Sequence, residues 1–344
     1  MRRRTFLISA AGAAGCTAGC TTDRRPRLNV FNWSAYVAPD TIPNFEAEFG
    51  VKVRYAIYES NEEMLARVFS GNSGWDVVFP SNYFIRPMRE NGLLAPLRHD
   101  LLPGLRNLDE LFRAPRWDPK LEWSVPYMWA ATGIVYNKRV RPAPEAWADM
   151  WSDRLSGHMT MLDDPGEVLG ATLLKLGRKL NSQDAADLTM AKSEAVVQKK
   201  LLRAYLNAEV RDQLVAGDVL AAQLWSTTAQ QAMDAAPHLD FTFPREGFAL
   251  YVDNAVILRE SRRQELAHSF LEYLLRPKVA AAIALSARTA SANGAARELL
   301  PRKERGNPVL YPSRETLARG EWFETLTPAA QRMRDRLWTE IKSA

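Results

Sequence analysis

The sequence predicts an α/β fold with two lobes, and three observations support this prediction. From residue 28 onward, segments with strand periodicity alternate with segments that have helical periodicity, which indicates a largely parallel sheet covered by helices. The chain has 344 residues, enough for two lobes of ordinary domain size. The apolar and aromatic stretch from Pro126 to Val135 is expected to be a strand that crosses between the lobes.

The predicted strands are short and are separated by few long loops. Apolar and polar residues alternate over 51–57, which indicates a half-exposed strand. The apolar stretch 75–79 indicates a buried strand that ends at Pro80. The full set of predicted strands is 28–31, 51–57, 75–79, 126–135, 158–162, 219–225, 239–243 and 249–258.

The helices are predicted from apolar spacing and from their end signals. Gly50 ends the first helix, and residues 60–63 (Ser-Asn-Glu-Glu) form a capping box that begins the second. The predicted helices are 40–50, 61–71, 85–91, one that ends near residue 180 and a long polar helix over 184–206, after which the chain beyond residue 258 is mostly helical.

Residues 1–26 are predicted to be an export signal and a linker. Arginines at 2–4 precede an apolar stretch that is too short to span a membrane. Residues 3–7 resemble the twin-arginine export pattern, and the residues before Cys16 and Cys20 resemble lipoprotein cleavage sites. The predicted location is therefore the periplasm or the outer face of the cytoplasmic membrane, with lipidation at Cys16 or Cys20; an ordinary secreted chain is the alternative.

Composition narrows the class of protein. Both cysteines lie in the predicted leader, so the remaining chain has no disulfides and depends on a large core. The formal net charge of +5 includes the three arginines of residues 2–4, which leaves a nearly neutral body without a basic stripe. Nucleic acid is therefore not a predicted partner.

No catalytic or cofactor motif is present. The sequence has no His-Glu-x-x-His, Gly-x-Ser-x-Gly, Walker or Gly-x-Gly-x-x-Gly motif. The four histidines are widely spaced and have no neighbouring metal-ligand pattern. The prediction is a protein that is not an enzyme and that uses no metal or cofactor.

Aromatic residues and carboxylates recur where predicted strands end. They are Trp33 and Tyr36 after the first strand, Ser81 and Tyr83 after the third, Asp164 and Glu167 after the strand 158–162, Trp225 at the end of the strand 219–225, and Tyr251 and Asp253 within the last strand. In open α/β sheets, ligands bind at the carboxyl ends of strands. Aromatic faces and isolated carboxylates suit an aliphatic polycation, through cation–π attraction and charge-assisted hydrogen bonds.

Structural roles for the same aromatic residues stay open at this point. Trp33 and Tyr36 could be loop anchors that pack on a neighbouring helix, because large aromatic side chains usually belong to the core. Trp225 and Tyr251, taken singly, are also more often core residues than ligand contacts.

The carboxylates have a structural alternative too. Asp164, Pro165 and Glu167 fit the N-cap, N1 and N3 positions of a helix. Capping and ligand binding are compatible, since the helix dipole is expected to keep both carboxylates ionised. Asp253 lies in an otherwise apolar strand, where a buried carboxylate requires a partner, and a bound cation would supply one.

Several segments together resemble the spermidine/putrescine-binding proteins of bacterial polyamine ABC importers. The resemblance covers nearly the whole mature length and rests on FNWSAYVAPDTIPNFEAEFGVKV, YESNEEML, WDVVFPSNYFI, PYMWAATGIVYN, LDDPGEV, PREG and FLEYLLRPKVA, in this order. It implies a type II periplasmic binding protein with a hinge of crossing strands and a ligand cleft between two lobes. It also implies a monomer that captures a polyamine, carries out no catalysis and delivers its ligand to a membrane permease.

The resemblance also assigns lobes and ligand contacts. Lobe 1 is expected over 27–131 and 253–297, and lobe 2 over 132–252 and 298–344. The positions that match ligand contacts of the family are Trp33, Ser34, Tyr36, Ser81, Tyr83, Asp164, Glu167, Trp225, Tyr251 and Asp253.

Some positions depart from the family pattern. Ala35 stands where close relatives often have Asp or Glu, Thr228 replaces an Asp of the putrescine-selective branch, Thr289 replaces a Tyr that contacts ligand, and Phe323 replaces a polar residue of the spermidine branch. Arg288 introduces a cation near a cation site. The identity of the amine therefore stays open. The alternatives are a modified amine or amino-acid conjugate whose carboxylate meets Arg288, and an amine-sensing subunit without transport.

Overall fold

The computed structural model describes residues 24–344, so Cys16, Cys20 and most of the predicted leader lie outside the described residues. The strands are β1 Arg27–Trp33, β2 Lys52–Tyr58, β3 Val77–Val78, β4 Val125–Asn137, β5 Met159–Met161, β6 Ala204–Tyr205, β7 Ala221–Trp225, β8 Leu239–Thr242, β9 Phe248–Ile257, β10 Ala290–Ser291 and β11 Gly320–Trp322. The helices are α1 Thr41–Phe49, α2 Asn61–Val68, α3 Asn82–Glu90, α4 Pro165–Lys175, α5 Ala185–Lys199, α6 Val210–Ala216, α7 Ser226–Ala235, α8 Gln264–Leu274, α9 Pro277–Ala287, α10 Gly294–Leu299, α11 Arg302–Arg305, α12 Arg314–Leu317 and α13 Pro328–Ser343.

The strands pair in the order β2-β1-β3-β9-β4-β7-β5-β6, with β8 and β10 on β4 and β11 on β9. One half of this arrangement, β1 with β2 and β3, is parallel, and so is the other half, β5 with β6 and β7. β4 and β9 join the halves and pair antiparallel with each other and with their neighbours β3 and β7. The prediction of a largely parallel sheet is right within each half and wrong at the two strands between them.

The long strands β4 and β9 form the centre of the core and connect the two lobes. Every residue of β4 is buried, and in β9 every residue except the half-buried Tyr251 is buried. The N-terminal part of β4 pairs with β9, whereas its C-terminal part pairs with β7 and β8. This arrangement confirms the predicted crossing strand. The residue boundaries of the two lobes stay a prediction.

Helix caps explain why several elements begin where they do. The side chains of Ser60, Asp164 and Asp184 accept backbone hydrogen bonds from the first turns of α2, α4 and α5. Gly50 adopts the left-handed conformation (φ 64°) that ends α1, as its position in the sequence predicts.

Several predicted elements are longer than the observed ones. The helix predicted to end near residue 180 ends at Lys175, and the helix predicted over 61–71 ends at Val68. The helix predicted over 184–206 ends at Lys199, because the chain turns there and residues 204–205 pair with β5 as β6. The strand predicted over 75–79 has ladder pairing only at Val77 and Val78. None of the helices described between residues 24 and 344 is long and apolar enough to cross a membrane.

Gly133 tests how tightly the crossing strand is packed. A Cβ atom at this position would lie 2.6 Å from the carbonyl oxygen of Thr242 and against the ring of Phe241, both on β8. We expect Gly133→Ala to lower the free energy of unfolding by about 1–3 kcal/mol, as overpacking does. Adding Phe241→Leu should restore only part of the loss, because the Thr242 carbonyl stays in place. Urea unfolding followed by circular dichroism measures both changes, and an unchanged midpoint for Gly133→Ala would contradict this packing.

Candidate functional site

One cleft brings together all ten site residues that the sequence predicts. It holds about 1120 Å³ of space, including the part open to solvent. One wall comes from the loop after β1, from the N-termini of α2 and α3 and from β9, and the opposite wall comes from the N-termini of α4 and α7. The predicted residues that line it are Trp33, Ser34, Tyr36, Ser81, Tyr83, Asp164, Glu167, Trp225, Tyr251 and Asp253.

Asp253 lies on β9, the strand that pairs with the crossing strand β4, and is only 2% exposed. Its Oδ1 accepts a hydrogen bond from the Ser81 hydroxyl (2.7 Å), and its Oδ2 accepts one from the Tyr36 hydroxyl (2.9 Å). Both donors are neutral, so no charge on them offsets the cost of burying the carboxylate. Burial raises the pKa of Asp253 to about 7, although these two hydrogen bonds act in the opposite direction.

A second layer of hydrogen bonds holds these donors in place. The Asn61 side chain accepts from the Ser81 backbone N–H (3.1 Å) and donates to the Ser81 hydroxyl (3.0 Å) and to the Tyr83 hydroxyl (3.4 Å). The Tyr127 hydroxyl donates to the backbone carbonyl of Tyr36 (2.6 Å). The groups around Asp253 are therefore positioned before any ligand arrives.

Trp33 is both an anchor and part of the cleft wall. Its indole N–H donates to the carbonyl of Phe79 (2.8 Å), and its ring lies 4.6 Å from that of Tyr58. The loop then turns through Ala35, whose φ of 54° lies in the left-handed region. The two interpretations of Trp33 in the sequence are thus compatible, because one side of the residue packs inward and the other lines the cleft.

Glu167 lies in the first turn of α4 and is 4% exposed. Its Oε1 accepts hydrogen bonds from the Thr132 hydroxyl (2.8 Å) and from the Trp225 indole N–H (3.0 Å). Burial, together with the negative charge of Asp164, raises the pKa of Glu167 to about 8. The environment of this side chain in the unliganded protein therefore favours its neutral form more than water does.

Asp164 is the N-cap of α4, as predicted, and its Oδ1 accepts the backbone N–H of Glu167 (2.9 Å). Burial raises its pKa, although the N–H groups of Gly166 and Glu167 and the charge of Arg334 lower it. The helix N-terminus acts on Asp164 in the expected direction, but burial opposes it and raises the pKa of both carboxyl groups. The effect of the helix is present, but desolvation outweighs it.

The cleft has acidic side chains in its lining and no basic ones among the described residues. Of the residues that the structure describes, no Lys, Arg or His lines it. Six side chains with carboxyl groups do line it: Glu59, Glu62, Asp163, Asp164, Glu167 and Asp253. Within residues 24–344, no group of His, Cys, Asp and Glu side chains is arranged to hold a metal ion. This arrangement favours a ligand that carries positive charge on more than one atom and an apolar stem that can lie against the aromatic rings.

Some of the positions that depart from the family pattern line the cleft, and others do not. Ala35, Thr228 and Phe323 line the cleft, and the Phe323 ring lies 5.4 Å from that of Tyr83. Thr289 does not line it, because it is buried behind Thr227, whose hydroxyl donates to it (2.8 Å).

Arg288 is also absent from the cleft lining. Its guanidinium group forms ion pairs with Asp234 and with Glu304, the latter at 2.8 Å. Arg288 therefore does not bring its guanidinium group into the cleft lining, because these two carboxylates engage it.

Sequence reasoning missed several residues of the cleft: Asn61, Glu62, Asn207, Thr227 and Gln231. Asn61 and Glu62 lie within residues 60–63, for which the sequence pattern predicts helix capping alone. Their position directly after β2 is the same signal that identified the other loops. Thr227 similarly follows Trp225 by two residues, at the end of β7.

Known proteins are similar to this chain over nearly its whole length. The profile of the family described as bacterial extracellular solute-binding proteins matches residues 41–298. The chain is 32% identical to the putrescine-binding periplasmic protein PotF of Escherichia coli, over 98% of this chain and 96% of that protein. It is also 32% identical to the spermidine/putrescine-binding periplasmic protein of Escherichia coli, over 93% and 92%. Among solved structures, the spermidine/putrescine ABC transporter substrate-binding protein PotD of Streptococcus pneumoniae has a TM-score of 0.83 and 29% identity, over 92% of this chain and 99% of that chain.

The raised pKa values predict how pH affects the unliganded protein. Between about pH 5 and about pH 8, the folded protein keeps a proton on Glu167 that the unfolded chain has lost, so this group's contribution to stability falls as pH rises, by at most about 1.4 kcal/mol per pH unit. We expect wild type to lose stability relative to Glu167→Gln over this range, in thermal unfolding at several pH values. The exposed Glu110→Gln is the control. Parallel pH profiles for wild type and Glu167→Gln would contradict the raised pKa.

Proposed function

Because the chain belongs to the bacterial extracellular solute-binding proteins, and within them to the spermidine/putrescine-binding periplasmic proteins, we propose that it captures an aliphatic polyamine outside the cytoplasm and delivers it to the permease of an ABC importer. The names of the Escherichia coli relatives support the ligand class and the periplasmic location. The proposed role is capture and delivery without a chemical step.

The observation that carries the proposal is a set of buried carboxyl groups in the cleft that have no ion-pair partner. Asp253, Glu167 and Asp164 are carboxyl groups that receive only neutral hydrogen-bond donors. An ammonium group beside such a carboxyl group favours its ionised form, and the resulting charge-assisted hydrogen bond contributes about 1.5–3 kcal/mol. Several of these bonds, less the ordering cost, are enough for micromolar affinity, which is about −8 kcal/mol.

The aromatic side chains fit the stem of the same ligand. Trp33, Tyr36, Trp225 and Tyr251 are each half-buried, so one part of every ring packs in the protein and the other faces the cleft. We propose that methylene groups lie on these rings while the ammonium groups meet the carboxylates. Ser34, Ser81 and Tyr83 complete the proposed contacts from the first lobe.

Because the carboxyl groups ionise when an amine binds, the proposed binding depends on pH. Burial raises the pKa of Glu167 to about 8 and that of Asp253 to about 7 in the unliganded protein, and a bound ammonium group lowers both. Amine binding should therefore release protons near neutral pH, and the affinity should fall as pH drops below about 8.

Of the alternatives, the amino-acid conjugate has less support. It required Arg288 to meet a ligand carboxylate, and Arg288 is ion-paired outside the cleft. A sensing subunit without transport would use the same cleft, and loss of amine uptake on deletion of the gene would separate the two roles. We also propose that the protein acts as a monomer, exported through its twin-arginine-like leader and tethered to the membrane by lipid on Cys16 or Cys20.

Calorimetric titration with putrescine, cadaverine, spermidine and agmatine tests the ligand class. We expect at least one amine to bind with micromolar or tighter affinity and to raise the thermal unfolding midpoint, since saturation at a hundred times Kd stabilises by about 2.7 kcal/mol. Butane-1,4-diol has the length of putrescine without its charges and should not bind. Failure of every amine in the panel would exclude the polyamine proposal.

Asp253→Asn tests the proposed grip on the amine. The substitution removes the charge, and the amide can still hydrogen-bond to Ser81 and Tyr36, so we expect affinity to fall about ten- to a hundredfold while the unliganded protein stays folded. The same change at the exposed Asp212 is the matched control. A large loss of unliganded stability with unchanged affinity would instead assign Asp253 a structural role.

A further inference from the structure

Helix α7 begins at the cleft without a side-chain cap. It runs from Ser226 to Ala235, and the side chain of its N-cap residue Trp225 accepts no hydrogen bond from the first turn. That first turn also contains no acidic residue. α4, on the same wall, begins differently, because Asp164 accepts a hydrogen bond from its first turn. The positive end of the α7 dipole is therefore not offset by an acidic residue in the helix's own first turn.

Thr228, in the first turn of α7, is a buried polar residue whose hydroxyl group has no partner. The residue lines the cleft and is 7% exposed. Among residues 24–344, no group forms a hydrogen bond with its hydroxyl. Burying a hydroxyl group without a hydrogen bond costs free energy, so an unpartnered one in a cleft marks a place where a ligand can supply the bond.

Two neighbouring side chains present further polar atoms to the cleft. The Thr227 hydroxyl donates to the hydroxyl of Thr289 (2.8 Å), so its oxygen is available as an acceptor. The Nε2 of Gln231 donates to the carbonyl of Ala287 (3.0 Å), which fixes the orientation of the amide, and its Oε1 accepts no hydrogen bond from a described residue. Thr227, Thr228 and Gln231 are called the α7 wall below. This wall offers a hydroxyl donor and neutral acceptors, and no charge.

The charges around the α7 wall favour a neutral ligand group. An ammonium group would lie at the positive end of a helix dipole and would offer no acceptor to the Thr228 proton. A carboxylate would enter a cleft lined by six side chains with carboxyl groups and, among the described residues, by no Lys, Arg or His. An amide has both a carbonyl acceptor and an N–H donor, which match the Thr228 hydroxyl and the Gln231 oxygen.

We propose that the α7 wall binds the amide group of an acylated polyamine, while the remaining ammonium groups engage the carboxyl groups of the cleft. This rests on the proposed function and narrows it, from polyamines in general to polyamines that carry one acylated nitrogen. Thr228 is then a specificity-determining residue, because its hydroxyl group donates to an amide carbonyl and has no acceptor to meet on an ammonium group.

Three ligands separate an amide from an ammonium group at this wall. Spermidine acetylated on its aminopropyl end keeps two ammonium groups, and putrescine carries the same two groups at the same spacing without the amide. Spermidine itself has a third ammonium group in place of the amide. In calorimetric titration at neutral pH, we expect acetylated spermidine to bind about tenfold more tightly than putrescine and more tightly than spermidine, since two neutral hydrogen bonds contribute a factor of this order.

Thr228→Val tests the residue itself, because valine keeps the shape of the side chain and removes only the hydroxyl group. We expect this variant to bind acetylated spermidine about three- to tenfold more weakly and to bind putrescine as wild type does. Its unliganded unfolding midpoint should not fall, since the hydroxyl group has no hydrogen bond to lose in the free protein. Thr189→Val, at an exposed position of α5, is the matched control and should change neither affinity.

Thr228→Asp should reverse the preference. It places a carboxylate in the first turn of α7, where the helix dipole stabilises the charge and an ammonium group can pair with it. We expect this variant to bind spermidine about tenfold more tightly than acetylated spermidine.

Preference of wild type for spermidine over its acetylated form, or equal weakening of all three ligands by Thr228→Val, would overturn the proposal. Binding of putrescine and spermidine with no gain from the acetyl group would exclude the amide and leave the proposed function intact. If none of the three ligands binds, the proposed function fails, and the assignment of the α7 wall fails with it.

Discussion

Burying carboxyl groups among neutral hydrogen-bond donors is the physical constraint on which this cleft depends. Asp253 and Glu167 are almost fully buried, yet each receives two neutral donors and no cation. Water would solvate these charges better than hydroxyl and indole groups do, so burial raises the pKa of both carboxyl groups in the unliganded protein. The unliganded site therefore lacks positive charge beside its buried carboxyl groups, and the ammonium groups of a polyamine supply it.

The fold meets this constraint by taking the carboxyl groups from different parts of the sheet. Asp253 lies on a strand that runs between the two lobes, and Glu167 lies in the first turn of a helix on the opposite wall. A ligand with charges at both ends can therefore engage both walls at once, and its binding energy favours the arrangement in which they face each other. Asn61 and Tyr127 hold the donors on one wall in place.

Much of the site could be predicted because its residues lie at strand ends, where periodicity changes and ligands bind. Trp33 and Ser81 are predicted in this way, and Asp253 is predicted because it is a carboxylate in an otherwise apolar strand. The crossing strand β4 is predicted from its continuous apolar sequence. The direction of the pKa shift of Asp164 could not be predicted from the sequence. Its position at a helix N-terminus favours the ionised form, and only the three-dimensional structure shows that burial opposes this effect. The ion pairs of Arg288 could not be predicted either, since they join residues that lie far apart in the sequence.

The most direct test of the central claim is a crystal structure of the protein with a bound amine from the panel, such as putrescine or spermidine. The account predicts ammonium nitrogens at charge-assisted hydrogen-bond distance, about 2.7–2.9 Å, from the carboxylate of Asp253 at one end and from Glu167 or Asp164 at the other, with the methylene chain against the rings of Trp33 and Trp225. An amine bound elsewhere, or one in this cleft whose nitrogens contact only water and backbone carbonyls, would contradict the claim that these carboxyl groups exist to bind a polycation.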